Sequence, residues 1–397
     1  MRVPLLDLSA QYERLAESIG REFEEILRSQ SFILGPKVEE FERALAEHCG
    51  VRHAIGVSSG TDAQLAIMMA LGIGSGDAVI TSSYTFFATG GCIARLGATP
   101  LFVDIDPATF NLSPAALAEF IARRCRTDAE GRLLDDEGRV VRAIVPVHLF
   151  GLCCEMDAIN AIAALHGLTV IEDAAQAIGA EYPSQSPGPR QAGTMSAAGS
   201  LSFYPSKNLG AAGDAGAILC DDDALAERFR IFRQHGMEPR YFHHVVGGNF
   251  RLDALQAAVL RIKLPYLDEW SAARRAVADF YRAEFERVGL TKAITLPAEP
   301  FRNSGLKNHH IYHQYVIRAP RRDELQKHLA AREIGSAIYY PLGLHQQKCF
   351  AALGYREGDL PETERATRET LALPIYPELT REMQREVVAA IAEFYAG

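Results

Sequence analysis

Leu168-Thr169-Val170-Ile171-Glu172-Asp173-Ala174-Ala175-Gln176 is a short apolar run that ends in two acids. Such a run reads as a strand buried on both faces, because strands covered by helices lose the polar–apolar alternation of a half-exposed sheet. In open α/β sheets, ligands gather at the carboxyl ends of the strands, so Asp173 stands where a bound group would meet it. Side chains alternate across a strand, which sends Glu172 to the opposite face. The bland alternative makes Asp173 the cap of a following helix.

Runs of the same kind recur outward from this one, at 54–57, 78–81, 100–103, 143–147, 199–203 and 216–219. Helical stretches lie between most of them, including 62–71, 86–96, 114–124 and 155–166. Seven buried runs alternating with helices predict a mainly parallel α/β sheet covered on both faces. Residues 9–29, with apolar Leu15, Ile19, Phe23, Ile26 and Leu27, form an amphipathic helix, and a second follows over 36–48. These make a large N-terminal domain over 1–264. The pattern changes at Leu264-Pro265. A long helix over 266–288, strand-like segments at 311–317 and 336–340, and helices at 322–333 and 380–395 predict a smaller α+β domain over 265–397. The polar stretches 125–142 and 183–193 read as surface loops, the first a candidate small hairpin.

The chain has 397 residues, a net charge of -9 and no basic tract. That balance argues against nucleic acid as a partner. No apolar run reaches membrane-spanning length, and Met1-Arg2-Val3-Pro4-Leu5-Leu6-Asp7 carries no signal-peptide pattern. Seven cysteines without Cys-x-x-Cys spacing read as reduced thiols, which points to the cytoplasm.

Lys207 lies in Ser202-Phe203-Tyr204-Pro205-Ser206-Lys207-Asn208-Leu209-Gly210, after the run at 199–203. A lysine that forms a Schiff base, and an acid for a pyridine nitrogen, are what pyridoxal phosphate asks of a protein. The alternative is an ordinary exposed loop lysine. Ser58-Ser59-Gly60-Thr61-Asp62 follows the first run and opens a helix, with small residues, hydroxyls and free N–H groups suited to a phosphate; an ordinary N-cap is the competing reading. Tyr84-Thr85-Phe86-Phe87 brings aromatics to another strand end, for stacking on a flat ring or for core packing. The histidines His243, His244, His309, His310 and His313 have no carboxylate or cysteine at ligand spacing, so no metal site is expected. Arg251 is an anion-binding candidate, or a helix-start arginine paired with Asp253.

Ordered along the chain, these segments resemble the pyridoxal phosphate-dependent nucleotide-sugar aminotransferases of the DegT/StrS kind. The likeness runs from about residue 3 to the C-terminus. It is carried by Ile33-Leu34-Gly35-Pro36, Ser59-Gly60-Thr61, Glu172-Asp173-Ala174-Ala175-Gln176, Ser202 to Asn208, Arg251-Leu252-Asp253-Ala254-Leu255-Gln256 and Leu373-Pro374. The resemblance implies the aspartate aminotransferase-like architecture, called fold type I, and a homodimer with shared active sites. By it, Lys207 links to the cofactor aldehyde, and Asp173 meets the pyridine nitrogen. Gln176 lies on the ring-hydroxyl side. Gly60, Thr61 and Ser202 hold the phosphate, Phe86 stacks on the ring, and Asn249 reaches the phosphate from the partner subunit. The family usually has Gly-Tyr-Asn-Ser-Arg at that last segment, and Gly248-Asn249-Phe250-Arg251 departs from it at two positions.

A lysine at 207 favours amino transfer over the dehydration carried out by members with histidine there. Glutamate is the implied amino donor, and a keto group on a nucleotide-linked hexose is the acceptor. The flanks Val3 to Leu8, His310-Ile311-Tyr312-His313-Gln314 and Leu344-His345-Gln346-Gln347 resemble members acting on 3-keto sugars. The expected substrate is a UDP-3-keto-N-acetylhexosamine destined for a cell-envelope glycan. His313, Tyr340, His345 and Arg251 are candidate substrate contacts. The alternatives are a 4-keto-sugar aminotransferase and a non-catalytic regulatory or binding protein on the same fold.

Overall fold

The computed structural model describes residues 1–185 and 188–396. Positions 186 and 187 of the loop expected over 183–193 lie outside the described residues. Among the described residues, the large sheet contains β1 (His53–Val57), β2 (Asp77–Ser82), β3 (Thr99–Val103), β4 (Val140–Val145), β5 (Thr169–Asp173), β6 (Ala198–Ser202) and β7 (Gly216–Cys220). Their spatial order is β1-β7-β6-β5-β4-β2-β3. β7 runs antiparallel to both its neighbours. The other pairs are parallel. All strands except β7 therefore point the same way, and their carboxyl ends share one edge. The candidate hairpin at 125–142 is present: Cys125–Thr127 pairs with Leu133–Asp135, which joins β4 through Leu134 and Val140.

The apolar runs are continuous because both faces of the sheet are covered. Consecutive residues enter opposite cores: Ile80, Ile144 and Leu201 pack with Phe41 and Leu45. Val79, Val145, Ile171 and Ile218 pack with Leu65 and Ile67 on the other side. That is the two-residue period of a strand, with apolar side chains on both phases. Helices α1 (Ser9–Ser29), α2 (Pro36–Cys49), α3 (Gly60–Ala70), α4 (Phe87–Arg95), α5 (Pro114–Arg124) and α6 (Met156–Leu165) precede or connect the strands, and α7 (Asp223–Arg233) and α8 (Ala254–Lys263) follow β7 and complete this part of the chain.

Beyond it come α9 (Leu267–Arg287), the antiparallel pair β8 (Tyr315–Arg318) and β9 (Thr370–Leu373), and helices α10 (Arg322–Ala331), α11 (Pro361–Glu369) and α12 (Arg381–Ala396). Val277, Tyr281, Phe285, Ile317, Leu325, Leu371, Val387 and Ile391 share one core here. Val3 belongs to the same core. Its N–H donates to Glu333 O at 3.0 Å, and its carbonyl accepts from Gly335 N at 2.8 Å. The first residues thus pack with the C-terminal elements, not with the sheet that follows them in sequence. A strand is also expected at 336–340, just beyond this pairing. Only the single bridge Ala337–Ala372 forms there. The strand expected from 311 starts at Tyr315, because Ile311 N and Gln314 N donate to Gly151 O and Phe150 O at the edge of the large sheet.

Candidate active site

The carboxyl ends of β1, β2, β4, β5 and β6 bring the segments 58–62, 83–89, 147–151, 173–176 and 202–208 to one edge. Asp173 is the last residue of β5 and is buried. Its N–H donates to Pro146 O at 2.9 Å, and its carbonyl accepts from His148 N at 3.0 Å, so the backbone is fixed from both sides. The side chain takes three donors. Oδ1 accepts from Ala175 N at 3.1 Å. Oδ2 accepts from Thr89 Oγ1 at 2.9 Å and from Gln64 Nε2. No helix follows Asp173, so the capping alternative is not realised; a turn takes its place.

Glu172 does face the other way. His148 Nδ1 accepts from Cys154 N at 3.0 Å, which leaves Nε2–H to donate to Glu172 Oε2 at 2.8 Å. Gly193 N, Met195 N and Ser196 Oγ complete the shell of that carboxylate at 2.7, 2.6 and 2.9 Å. Glu172 therefore ties the 193–196 loop beneath the sheet.

Lys207 sits in a turn closed by its N–H donating to Tyr204 O at 2.8 Å. Burial pushes its amine down to about 8, partly offset by the negative charge of Asp173. The next residue, Asn208, accepts from His313 Nδ1 at 3.0 Å and donates to Ile311 O at 3.1 Å. Burial and the positive charges of Lys207 and Arg274 hold His313 well below the ordinary histidine range. It is a neutral imidazole whose Nδ1–H is used by Asn208. Arg274 fixes the same segment, with Nη1 donating to the carbonyls of Tyr312, His313 and Ile375 at 3.1, 3.4 and 3.1 Å.

Gln176 Oε1 accepts from Phe150 N at 2.7 Å, and Nε2 donates to the Tyr340 hydroxyl at 2.8 Å. The Tyr340 ring stacks on Phe150, with centroids 6.1 Å apart, and meets Tyr84 edge-on at 5.2 Å. Tyr340 thus reaches the site through Gln176. Tyr84 is a core residue, its hydroxyl 2.7 Å from Thr370 Oγ1. His345 has both ring nitrogens engaged, Nδ1 with Ser83 Oγ at 2.7 Å and Nε2 with Glu364 Oε1 at 3.4 Å. Phe86 is 63% exposed and immediately precedes α4, one turn before Thr89.

Ser59 is the N-cap of α3, its Oγ accepting from Asp62 N at 3.0 Å. Asp62 in turn accepts from both Ser58 Oγ and Ser59 Oγ. The capping alternative therefore holds, and the helix N-terminus it organises still offers free N–H groups. Gly60 lies against Ser202: a Cβ at 60 would fall 2.7 Å from Ser202 Cβ. This close approach brings the α3 N-terminus and the end of β6 together. Phe250 O accepts from Ser58 N at 3.0 Å, which ties the 248–251 segment to the same turn. Arg251 Nε is buried without a hydrogen-bond partner among the described residues. Asn249 is exposed. The two departures from the family motif beside it are complementary. The Phe250 ring occupies the space a side chain at 248 would need, with Cζ 2.2 Å from the position of a Gly248 Cβ.

An aldehyde-bearing ring with a protonatable nitrogen and a phosphate, as in pyridoxal phosphate, has a complement for each group here. The half-buried Lys207 suits the aldehyde, the Asp173 carboxylate the nitrogen, and the Gly60–Ser202 cradle the phosphate. Gln64 and Thr89 are the site residues the sequence reading missed. Gln64 is the lone amide among the buried residues of α3, and that was its only signal. Among the described residues, no cluster of His, Cys, Asp or Glu is arranged to hold a metal ion.

The sequence profile of the DegT/DnrJ/EryC1/StrS aminotransferase family matches residues 13–392. The chain is 48% identical over 396 residues to a protein of Geobacillus stearothermophilus named as a pleiotropic regulatory protein, covering 100% of this chain and 99% of that one. It is 38% identical to the UDP-2-acetamido-2-deoxy-3-oxo-D-glucuronate aminotransferase of Pseudomonas aeruginosa, covering 98% and 99% of the two chains. Among solved structures, a DegT DnrJ EryC1 StrS aminotransferase from Brucella abortus superposes with a TM-score of 0.89 at 36% identity, covering 100% of both chains.

Proposed function

The chain belongs to the DegT/DnrJ/EryC1/StrS aminotransferase family, and on that premise we propose that it transfers an amino group from glutamate to C3 of a UDP-linked 3-keto-N-acetylhexosamine. The observation that carries the reading is the convergence at one sheet edge of the half-buried Lys207, the Asp173 carboxylate held by Thr89 and Ala175, and the close approach of Gly60 to Ser202. Pyridoxal phosphate, the cofactor, supplies an electron sink for the carbon that loses or gains a proton.

The protein's residues divide the remaining work. Asp173 holds the proton on the ring nitrogen. Gln176, steadied by Phe150 N and Tyr340, faces the ring-hydroxyl side. Gly60, Thr61 and Ser202 hold the phosphate, joined by Asn249 from the second subunit of a homodimer. Phe86 covers one ring face. Lys207 would hold the cofactor through its amine and would move protons at the reacting carbon as base and acid. His313, neutral and beside Lys207, contacts the sugar, and Arg251 takes an anionic group of the substrate. The hydrogen bonds of Tyr340 and His345 give them supporting roles for Gln176 and Ser83. Among the described residues no helix is long and apolar enough to cross a membrane, and we assign the reaction to the cytoplasm.

The test is glutamate-dependent amination across UDP- and dTDP-linked 3-keto and 4-keto sugars. Turnover is expected to be highest with the UDP-linked 3-keto acceptor. Preference for a 4-keto or dTDP-linked sugar would refute the substrate assignment. Absence of amination with any of them would favour a regulatory role, as the name of the Geobacillus relative suggests for that protein.

A pH prediction follows from the amine, which sits at about 8 in the cofactor-free protein. Only the neutral amine attacks an aldehyde, and its fraction rises with pH up to that value. The rate of cofactor capture by apoprotein is expected to climb about tenfold per pH unit below it and to level off above. Stopped-flow absorbance checks this. A profile still rising steeply toward the ordinary lysine range would contradict it.

A further inference from the structure

Helix α3 is apolar along its buried side. Ala63, Leu65, Ala66, Ile67, Met68 and Ala70 are buried, and Gln64 is buried among them at 3% exposure. One end of its amide is used and the other is not. Nε2 donates to Asp173 Oδ2, whereas Oε1 is buried without a hydrogen-bond partner among the described residues. A buried acceptor left unpaired lowers stability, and an apolar side chain of similar volume at 64 would avoid that loss. The position therefore carries a polar group at a cost to the fold, and its one polar contact is the carboxylate of the site. Thr89, from the start of α4, donates to the same oxygen. Ala175 N occupies the other.

We propose that Gln64 is a positioning residue for the amino-transfer site, holding the Asp173 carboxylate together with Thr89 in the orientation that meets the ring nitrogen of the cofactor. Two donors converging on Oδ2 from two different helices fix the rotation of the carboxylate about its last bond. Donors to a carboxylate also favour its charged form. Gln64 touches neither substrate nor cofactor in this account and acts only through Asp173. The inference rests on the reading of Asp173 given above.

The experiment compares wild type, Gln64→Leu, Gln64→Met and Asp173→Ala. Three quantities are read: thermal midpoint of the apoprotein, dissociation constant for pyridoxal phosphate by absorbance titration, and the pH midpoint of the visible band of the holoprotein. Gln64→Leu is expected to keep or raise the apoprotein midpoint. It should weaken cofactor binding roughly tenfold, a change of about 1.4 kcal/mol, and displace the pH midpoint of the band. Thr89→Val should do the same, and the two changes should be non-additive because they share one acceptor. If Leu disturbs folding, the unbranched Met variant gives the same comparison. Wild-type affinity and an unmoved pH midpoint in a folded Gln64 variant, with Asp173→Ala still defective, would overturn this proposal alone. Wild-type binding in Asp173→Ala would overturn the reading beneath it.

Discussion

Lys207→Ala is expected to lower glutamate-dependent amino transfer by about 10⁴-fold or more, since acid–base catalysis alone contributes about 10²–10⁴ and the covalent link is lost as well. The variant should fold. The substitution removes an amine that burial already disfavours in its charged form, and the Lys207 N–H bond to Tyr204 is a backbone contact that alanine retains. The cofactor should still bind, through Asp173 and the cradle of Gly60 and Ser202, but without the visible band of the wild-type holoprotein. Absorbance and single-turnover kinetics with glutamate separate these outcomes. A variant with the wild-type band and more than a tenth of wild-type turnover would remove Lys207 from the mechanism.

Asp173→Ala is expected to have the second largest effect. The carboxylate is buried, and its charge is matched by neutral donors from Gln64, Thr89 and Ala175. A ring nitrogen that carries a proton adds a charged partner to that set. Removing one member of a buried charged pair costs about 3–5 kcal/mol, which at 1.36 kcal/mol per decade corresponds to roughly 10²–10⁴ in rate. Cofactor affinity should fall with it. Asp173→Asn keeps the shape but presents an N–H to donors that need an acceptor, so it should be impaired to a similar degree. Asp173→Glu moves the carboxylate by one methylene and should recover little. Wild-type rates in Asp173→Asn would place the ring nitrogen elsewhere.

Much of this arrangement could be read from the chain because its signals are local. Each buried strand is a contiguous apolar run, so the strands near 54, 78, 100, 168, 199 and 216 are where periodicity places them. Asp173 and Lys207 are marked by their place just after such runs. Interactions between distant segments left weaker traces. Val3 pairs with residues 333–335 because an extended N-terminus finds an open backbone there, and nothing near position 3 names that partner. Residues 336–340, expected as a strand, make only the bridge Ala337–Ala372. Gly248 and Phe250 look in one dimension like two losses from a motif. In space they are one exchange of volume, the ring filling the position a side chain at 248 would take. Gln64 was detectable in principle, as an amide inside an apolar helical segment, but periodicity scores such a residue as noise. His345, expected from its sequence context to contact the substrate, has its two ring nitrogens engaged by Ser83 and Glu364, partners elsewhere in the chain that its neighbours in sequence do not name.

The most direct test is chemical trapping. Holoprotein reduced with borohydride and digested is expected to carry a pyridoxyl adduct on the peptide containing Lys207, in stoichiometric yield, and the adduct should be absent when the protein is first converted by excess glutamate. An adduct confined to another lysine, or a protein that takes up no pyridoxal phosphate at all, would contradict the account.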